Sequence, residues 1–576
     1  MIIVAKPVTA HSSAPVPPVP APALDLLQQL LVPLAAAAGT PTAPDLLAAS
    51  SRLTQLHSDY QRELGDLWAA TLARQRGAPR RPVVEPERDD RRFAAAAWRE
   101  DPYYDHLKQS YLLTARFLVA AADAVAVAPA HKRRLRFYAR QLADMLSPAN
   151  FAATNPEVIR RALETGGESL AAGLRNLIGD VEKRRITQTD EAAFEVGRNL
   201  AVTPGAVVFE NDLCQLIQYA PATPRVRARP FLMVPPCINK YYVLDLTPEN
   251  SFVRWAVERG NTCFLVSWRN VTADCADFTW DDYIGAGLLK PIAVVREITG
   301  ADRLNLLGYC VGGTMLGAAL AVLAARGEDW VESATFFTAL LDFADPGELA
   351  VFIDEPGVAA VERTIGQGGV KDGRDLAAVF NLLRANDLVW SYVVNGYLQG
   401  RAPGAFDLLY WNSDSTNLAG PWYAWYLRNA YLENNLCVPG RVSACGVPID
   451  LGRIGVPAYV LATREDHIVP WRGAYRTTRL LGGESRFVLG ASGHVAGVIN
   501  PASKNRRSYW INDHLADDPD EWLAGAAEVK GSWWYDWDRW LARFGGGEVP
   551  APGAPGSAAY RPIEPAPGRY VKARVV

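Results

Sequence analysis

The sequence predicts an all-helical N-terminal region followed by an α/β domain, whose mostly parallel sheet is covered by helices on both faces. Three observations carry that expectation. Near residue 203 the apolar pattern changes from helical spacing to short β-rich runs separated by helices. Leu304-Asn-Leu-Leu-Gly308-Tyr309-Cys310-Val311-Gly312-Gly313 has the form of a strand, a sharp turn and a helix start. Residues 342 to 440 form a connection far longer than an ordinary loop, so they read as a cap or lid inserted into the domain.

Composition sets the limits. At 576 residues the chain is long enough for two or more domains. Its 49% hydrophobic and 21% charged residues are normal for a globular protein. A net charge of −3 gives no electrostatic case for nucleic acid or an anionic membrane. The seven cysteines are scattered singly, with no metal-ligand spacing and no disulfide framework. No metal or cofactor is expected, and a reducing cytoplasm fits best. Ile2-Ile3-Val4 before Lys6 is no signal-peptide core, and the uncharged run Val311 to Ala325 is too short to span a bilayer. The 17 tryptophans, clustered late in the chain, suit either large cores or an apolar contact surface.

Taken in order, residues 1–45 are Ala/Pro-rich and read as a flexible arm. Leu53, Leu56, Tyr60, Leu64 and Leu67 recur at helical spacing, a stripe that suits packing on its own domain or an outside partner. Leu107 to Leu118 and Leu135, Tyr138, Leu142 and Met145 mark further helices, and Asn155-Pro156-Glu157 starts another. The helical domain is set at 46–202. Strands are expected at 206–209, 213–219, 231–234, 263–266, 304–307, 335–337, 458–461 and 487–489, with helices at 251–258 and 281–298 among those between them. The α/β domain then spans 203–545, and the tail 546–576 is Pro/Gly-rich and expected to be loose up to Tyr560, while the sequence is silent on Tyr560 to Val576.

The turn at Cys310 has the pattern G-x-C-x-G, a nucleophile elbow with sulfur in place of oxygen. At a helix N-terminus the dipole and free N–H groups favour thiolate. The plainer reading is a small buried hydrophobe before an ordinary helix. A nucleophile needs a base and the base an orienting acid, which in an α/β-hydrolase follow in the order acid, then His, each after a late strand. Arg464-Glu465-Asp466-His467 follows one such strand, and Gly493-His494 follows the next. His494 stands where the base belongs. His467 is the rival, better suited to a supporting role behind the base, and Asp466 is preferred to Glu465 as the acid. The loop Pro235-Pro-Cys237-Ile238-Asn239-Lys240 is placed to offer one oxyanion-hole N–H, from Cys237 or Ile238, with Val311 offering the other.

Five motifs then carry a family resemblance: Gly308-Tyr-Cys310-Val-Gly-Gly, Pro235-Pro-Cys-Ile-Asn-Lys-Tyr-Tyr, Tyr410-Trp-Asn-Ser-Asp-Ser-Thr-Asn, Asp466-His-Ile-Val-Pro-Trp and Gly493-His494-Val-Ala-Gly-Val-Ile-Asn-Pro. Together with Leu146-Ser-Pro-Ala-Asn-Phe they closely resemble the class I polyhydroxyalkanoate synthases over about residues 95 to 545. The resemblance implies a helical domain before an α/β-hydrolase domain with a cap, and a Cys310/Asp466/His494 triad. It also implies polymerisation of short-chain (R)-3-hydroxyacyl-CoA thioesters with CoA release through an acyl-cysteine. The implied partners are 3-hydroxyacyl-CoA, the polyester granule surface and its associated proteins, and a second copy in a homodimer. The expected location is the cytoplasm, at those granules. A thioesterase or depolymerase would share fold and triad, differing in acceptor. A granule-coat protein would explain the arm and first helix but would have no use for a triad.

Overall fold

The structure, a computed structural model, describes residues 43–88 and 90–575. The expected arm over 1–45 lies outside them except for its last three positions. Two compact units are present. Of the described residues, one unit holds those up to Glu87 together with Asp105–Ala143; the other holds Arg88–Tyr104 together with those from Asp144 onward.

In the first unit, α1 (Ala43–Gln75) lies against α2 (Pro102–Ala124), and α3 (Pro129–Met145) contributes most of its length. The stripe on α1 is spent inside this unit. Leu67 is buried, Tyr60 stacks on Phe117 with ring centroids 4.8 Å apart, and the Tyr60 and Thr114 hydroxyls are 2.9 Å apart. On α3, Leu135 is buried as its spacing implies, whereas Tyr138 and Met145 are exposed.

The second unit begins its helical part with α4 (Pro156–Glu164) and α5 (Glu168–Lys183). Asn155 caps α4 by accepting from the Glu157 and Val158 N–H groups. Both helices are fastened to the long insertion. Arg161 Nε donates to the Gln399 carbonyl at 2.6 Å, Asn176 Nδ2 to Gly396 O at 2.9 Å and Tyr397 Oη to Asp180 at 2.7 Å. Gly173 lies so close to the Tyr397 carbonyl that a Cβ would fall 1.8 Å from it. The helical stretch expected as one domain over 46–202 is therefore divided, because its last two helices are hydrogen-bonded to a segment more than 200 residues later in the chain.

Among the described residues eleven strands form one sheet. In chain order they are β1 (Gly205–Glu210), β2 (Cys214–Tyr219), β3 (Phe231–Val234), β4 (Cys263–Trp268), β5 (Leu304–Tyr309), β6 (Val331–Phe337), β7 (Ala458–Thr463), β8 (Ser485–Gly490), β9 (Ser508–Ile511), β10 (Ala527–Lys530) and β11 (Glu564–Pro565). Across the sheet the order is β10-β9-β8-β7-β6-β5-β3-β4-β2-β1-β11. The central run from β4 to β8 is parallel and both flanks are antiparallel. Every residue of β3, β4, β5 and β7 is buried, as continuous apolar runs require in a sheet covered on both faces. The swap that places β3 between β4 and β5 sets the C-terminal ends of β3 and β5 side by side, where a topological switch opens a crevice.

Of the helices between strands, α6 (Phe252–Glu258) is capped by Ser251. The helix expected over 281–298 is instead Trp280–Ile284, a wide turn Gly285–Leu289 and then α7 (Lys290–Thr299). There Gly287 lets the backbone approach the Trp268 ring, which a Cβ would meet at 2.7 Å. Directly after Cys310 comes α8 (Val311–Arg326), buried as far as Leu323. The insertion carries α9 (Glu355–Ile365), α10 (Gly373–Leu383), wide helical turns over Asn386–Trp390 and Val393–Leu398, and α11 (Gly420–Tyr426). Later in the domain come α12 (Trp471–Leu480) and α13 (Trp534–Ala542).

The 546–576 tail is not loose. Glu548–Pro550 pairs with Arg225–Arg227, β11 adds a strand beside β1, and Val571 is fully buried. Pro and Gly there serve an extended path along a sheet edge, where a missing N–H costs nothing. Trp422, Trp522, Trp533, Trp534 and Trp537 are core residues. Among the described residues no helix is long and apolar enough to cross a membrane.

Candidate active site

Cys310 sits in the turn from β5 to α8 with φ 52° and ψ −127°, a strained conformation for a residue with a Cβ. Its neighbours make the turn possible. A Cβ on Gly308 would lie 2.4 Å from Gly313 Cα, one on Gly312 2.3 Å from the Val234 carbonyl, and one on Gly313 2.4 Å from Ala339 Cβ. The elbow therefore requires glycine at all three positions. It leaves Cys310 half-buried at the N-terminus of α8.

Asp466 follows β7 and His494 follows β8. His494 Nδ1 and Asp466 Oδ2 are 2.7 Å apart, and the aspartate side chain has no exposed surface. The other carboxylate oxygen accepts from the Ile468 and Val469 N–H groups at 2.9 and 2.8 Å. A buried carboxylate bonded in this way has one orientation. Burial works against charge on His494, but the Asp466 carboxylate and then the Cys310 sulfur outweigh it, so the imidazolium is favoured over the ordinary histidine balance. The acid and base expected after the last strands are thus joined, with the sulfur close enough to act on the ring.

The long insertion reaches this place. Tyr426 and Tyr431 are held well above the usual phenol range, chiefly by burial, with the nearby Cys310 sulfur adding to the effect in both. Arg384 Nη1 lies 3.9 Å from where a Cβ on Gly493 would be.

The poly-beta-hydroxybutyrate polymerase (PhaC) N-terminus model matches residues 89–256, and the alpha/beta hydrolase fold model matches residues 251–501. The poly(3-hydroxyalkanoate) polymerase subunit PhaC of Cupriavidus necator is 54% identical over 548 residues, covering 94% of this chain and 92% of that protein. The chain belongs to the class I polyhydroxyalkanoate synthases. The poly(3-hydroxyalkanoate) polymerase of Methylorubrum extorquens is 44% identical over 514 residues, 88% of this synthase and 84% of that protein. The Rhizobium meliloti PhaC subunit is 40% identical over the same shares.

The remaining residues singled out from the sequence of the synthase fall as follows. Val311 is the first residue of α8, so its N–H has no carbonyl one turn earlier. Gly312 abuts the Val234 and Pro235 carbonyls, which brings the loop carrying Cys237 and Ile238 alongside. Cys237 is fully buried and Ile238 partly exposed. His467 is not joined to the pair. Its Nδ1 is buried without a hydrogen-bond partner, and burial lowers its pKa to about 4, with Asp466 and Asp387 opposing and His494 and Arg384 reinforcing.

A group whose folded pKa is depressed contributes stability above its unfolded pKa and loses it as pH falls through the folded value. His467 should therefore cost the synthase stability between about pH 6.5 and 4. Urea midpoints at pH 7 and pH 4.5 should converge for wild type and His467→Gln at the lower pH, or cross in the variant's favour. An unchanged difference would show that His467 charges freely in the fold.

Three supports were not legible in the sequence. Trp533 and Trp534 donate their Nε1–H groups to the Gly497 and Val498 carbonyls, each at 2.9 Å, and so hold the loop that carries His494. Tyr309, one residue before the cysteine, stacks on the His494 ring with centroids 5.6 Å apart. A tryptophan cluster signals a core but not which loop its N–H groups hold, and Tyr309 reads as the last apolar residue of a strand.

Proposed function

We propose that the synthase builds its polyester from short-chain (R)-3-hydroxyacyl-CoA through an acyl-Cys310 intermediate, with His494 as base and Asp466 as its orienting acid. The observation that carries this reading is the buried Asp466–His494 pair with the Cys310 sulfur beside it on a strained elbow.

His494 holds the proton taken from the Cys310 thiol, and Cys310 Sγ attacks the thioester carbonyl. The carbonyl oxygen gathers negative charge and is bound by the Val311 and Ile238 N–H groups. Collapse expels the CoA thiolate, which leaves as a thiol with the proton held by His494. One thioester has replaced another, so the acyl carbon stays activated. The hydroxyl of the next unit or of the growing chain then gives its proton to His494 and attacks, forming an oxoester and freeing Cys310. An oxoester is the more stable product, and that difference drives elongation. An acyl-serine would already be such an ester and would leave less drive.

Tyr426, buried, and Tyr431, half-buried, bring aromatic rings of the insertion near the Cys310 sulfur and so disfavour water as the competing acceptor. No cofactor enters this scheme. The product is apolar and remains attached, which suits work at a granule surface in the cytoplasm, as a homodimer and alongside granule-associated proteins.

Acceptor choice is the test. With 3-hydroxybutyryl-CoA, complete thiol release should be accompanied by insoluble polyester, with free 3-hydroxy acid a minor product. The protein should sediment with the polymer. Stoichiometric free acid with the protein still in solution would mean thioester hydrolysis and would withdraw the proposal.

A further inference from the structure

One buried cation takes no part in the chemistry just described. Lys240 is 3% exposed and stands two residues after Ile238 in the loop that follows β3. An ammonium buried to this degree is costly unless it is bonded. Its bond is to the Ala573 carbonyl, near the far end of the described chain. Burial lowers its pKa, the Asp414 carboxylate opposes this and Arg574 reinforces it.

The same loop is held from the other side by the base of the insertion. Trp411 Nε1 donates to the Lys240 carbonyl at 2.7 Å, Tyr242 Oη donates to Asp414 at 2.9 Å, and Asn239 pairs with Ser415. Arg574 closes the ring by donating to the Tyr410 hydroxyl and lying over its ring. The segment from 564 to 574 has no freedom to drift. β11 is paired to β1, Tyr570 Oη donates to the Asn211 carbonyl at 2.9 Å and its N–H to Gln215 Oε1 at 3.2 Å. Gly568 has φ 78° and sits where a Cβ would lie 2.4 Å from Gln215 Oε1. This part of the chain is thus fixed to the sheet edge and delivers one carbonyl to Lys240 of the loop and one guanidinium to Tyr410 of the insertion.

We propose that Tyr570–Arg574 is a clamp for the loop after β3 and that Lys240 is the positioning residue through which it acts: the Ala573 carbonyl fixes the ammonium, and the loop is thereby held with the Ile238 N–H against the N-terminus of α8. The clamp rests on the reading above, in which the Ile238 and Val311 N–H groups bind the developing oxyanion. A donor held at both ends needs no reorganisation as charge appears, and a misplacement of about 1 Å in such a group costs on the order of 10²-fold in rate.

The test uses the full chain carrying Lys240→Met, a chain ended after Val571, and the two changes combined. Each single change should lower kcat for thiol release from 3-hydroxybutyryl-CoA by about 10- to 100-fold, while KM moves less than about threefold. Alkylation of Cys310 by iodoacetamide, which forms no oxyanion, should keep its wild-type rate. Because both changes break one contact, the combined variant should be no slower than the worse single one. Should Lys240→Met fail to fold by circular dichroism, Lys240→Gln, which keeps a polar end in the buried site, completes the same cycle with the shortened chain. Multiplying losses, alkylation that falls in step with kcat, or a kcat within twofold of wild type would each overturn the clamp. Release of CoA by Cys310→Ala would instead withdraw the site reading, so the two failures are distinct.

Discussion

Cys310→Ala should reduce CoA release by on the order of 10⁴ or more, because no other sulfur or hydroxyl stands on the elbow to replace it. The free cysteines at 214, 237, 263 and 275 are buried, and burial pushes the Cys214 thiol up to about 12 and the Cys237 thiol well above its ordinary range. Neither is a nucleophile in its present surroundings. The fold should survive. Alanine carries the same Cβ at φ 52°, so the backbone strain is unchanged, and a half-buried sulfur leaves only a small void. A stability change within about 1 kcal/mol is expected. Thiol release followed with the colour reagent for free thiols, beside circular dichroism and a urea midpoint, checks both halves. Turnover above a few per cent of wild type from a folded variant would remove Cys310 from the chemistry.

The parts legible in the sequence were those where local chemistry and tertiary need coincide. β3, β5 and β7 are short apolar runs because they are buried on both faces, so their pattern survives without any knowledge of neighbours. The elbow was legible because a positive φ and a strand–helix approach at close range leave few choices besides glycine around the cysteine. Asp466 and His494 were legible because each follows a strand whose register is fixed by that same burial.

What stayed hidden depends on distant pairing. β10, Ala527–Lys530, is a short polar strand at a sheet edge with no apolar run to announce it, and β9, Ser508–Ile511, has only the three residues Tyr509–Ile511, too short a run to stand out from the loops around it. β11 is two residues long, one of them proline, and exists only because β1 offers an edge. The division of the helical region follows from Arg161, Asn176 and Asp180 meeting residues 396–399, a meeting no local pattern encodes. For His467 no sequence pattern foretells a ring whose Nδ1 is buried without a hydrogen-bond partner within electrostatic reach of Asp466 and His494.

His494→Gln and His467→Gln should separate by orders of magnitude. Glutamine at 494 can still donate to Asp466 but cannot accept a proton, so the general acid–base contribution of about 10² to 10⁴ in rate should disappear. The carboxylate would keep its bonds from the Ile468 and Val469 N–H groups, and the loop would keep its bonds from Trp533 and Trp534, so the variant should fold. His467→Gln removes a ring that is neutral at pH 7 and bonds to neither partner through Nδ1, and its activity should stay within about tenfold of wild type. A pH profile sharpens the distinction. In wild type and in His467→Gln, kcat should follow one and the same pH profile, set by the proton that His494 takes and returns, and in His494→Gln the residual rate should lose that dependence. If His467→Gln proves the nearly dead variant and His494→Gln keeps most of the rate, the base has been assigned to the wrong loop, and the Asp466–His494 bond would then have to be read as structural.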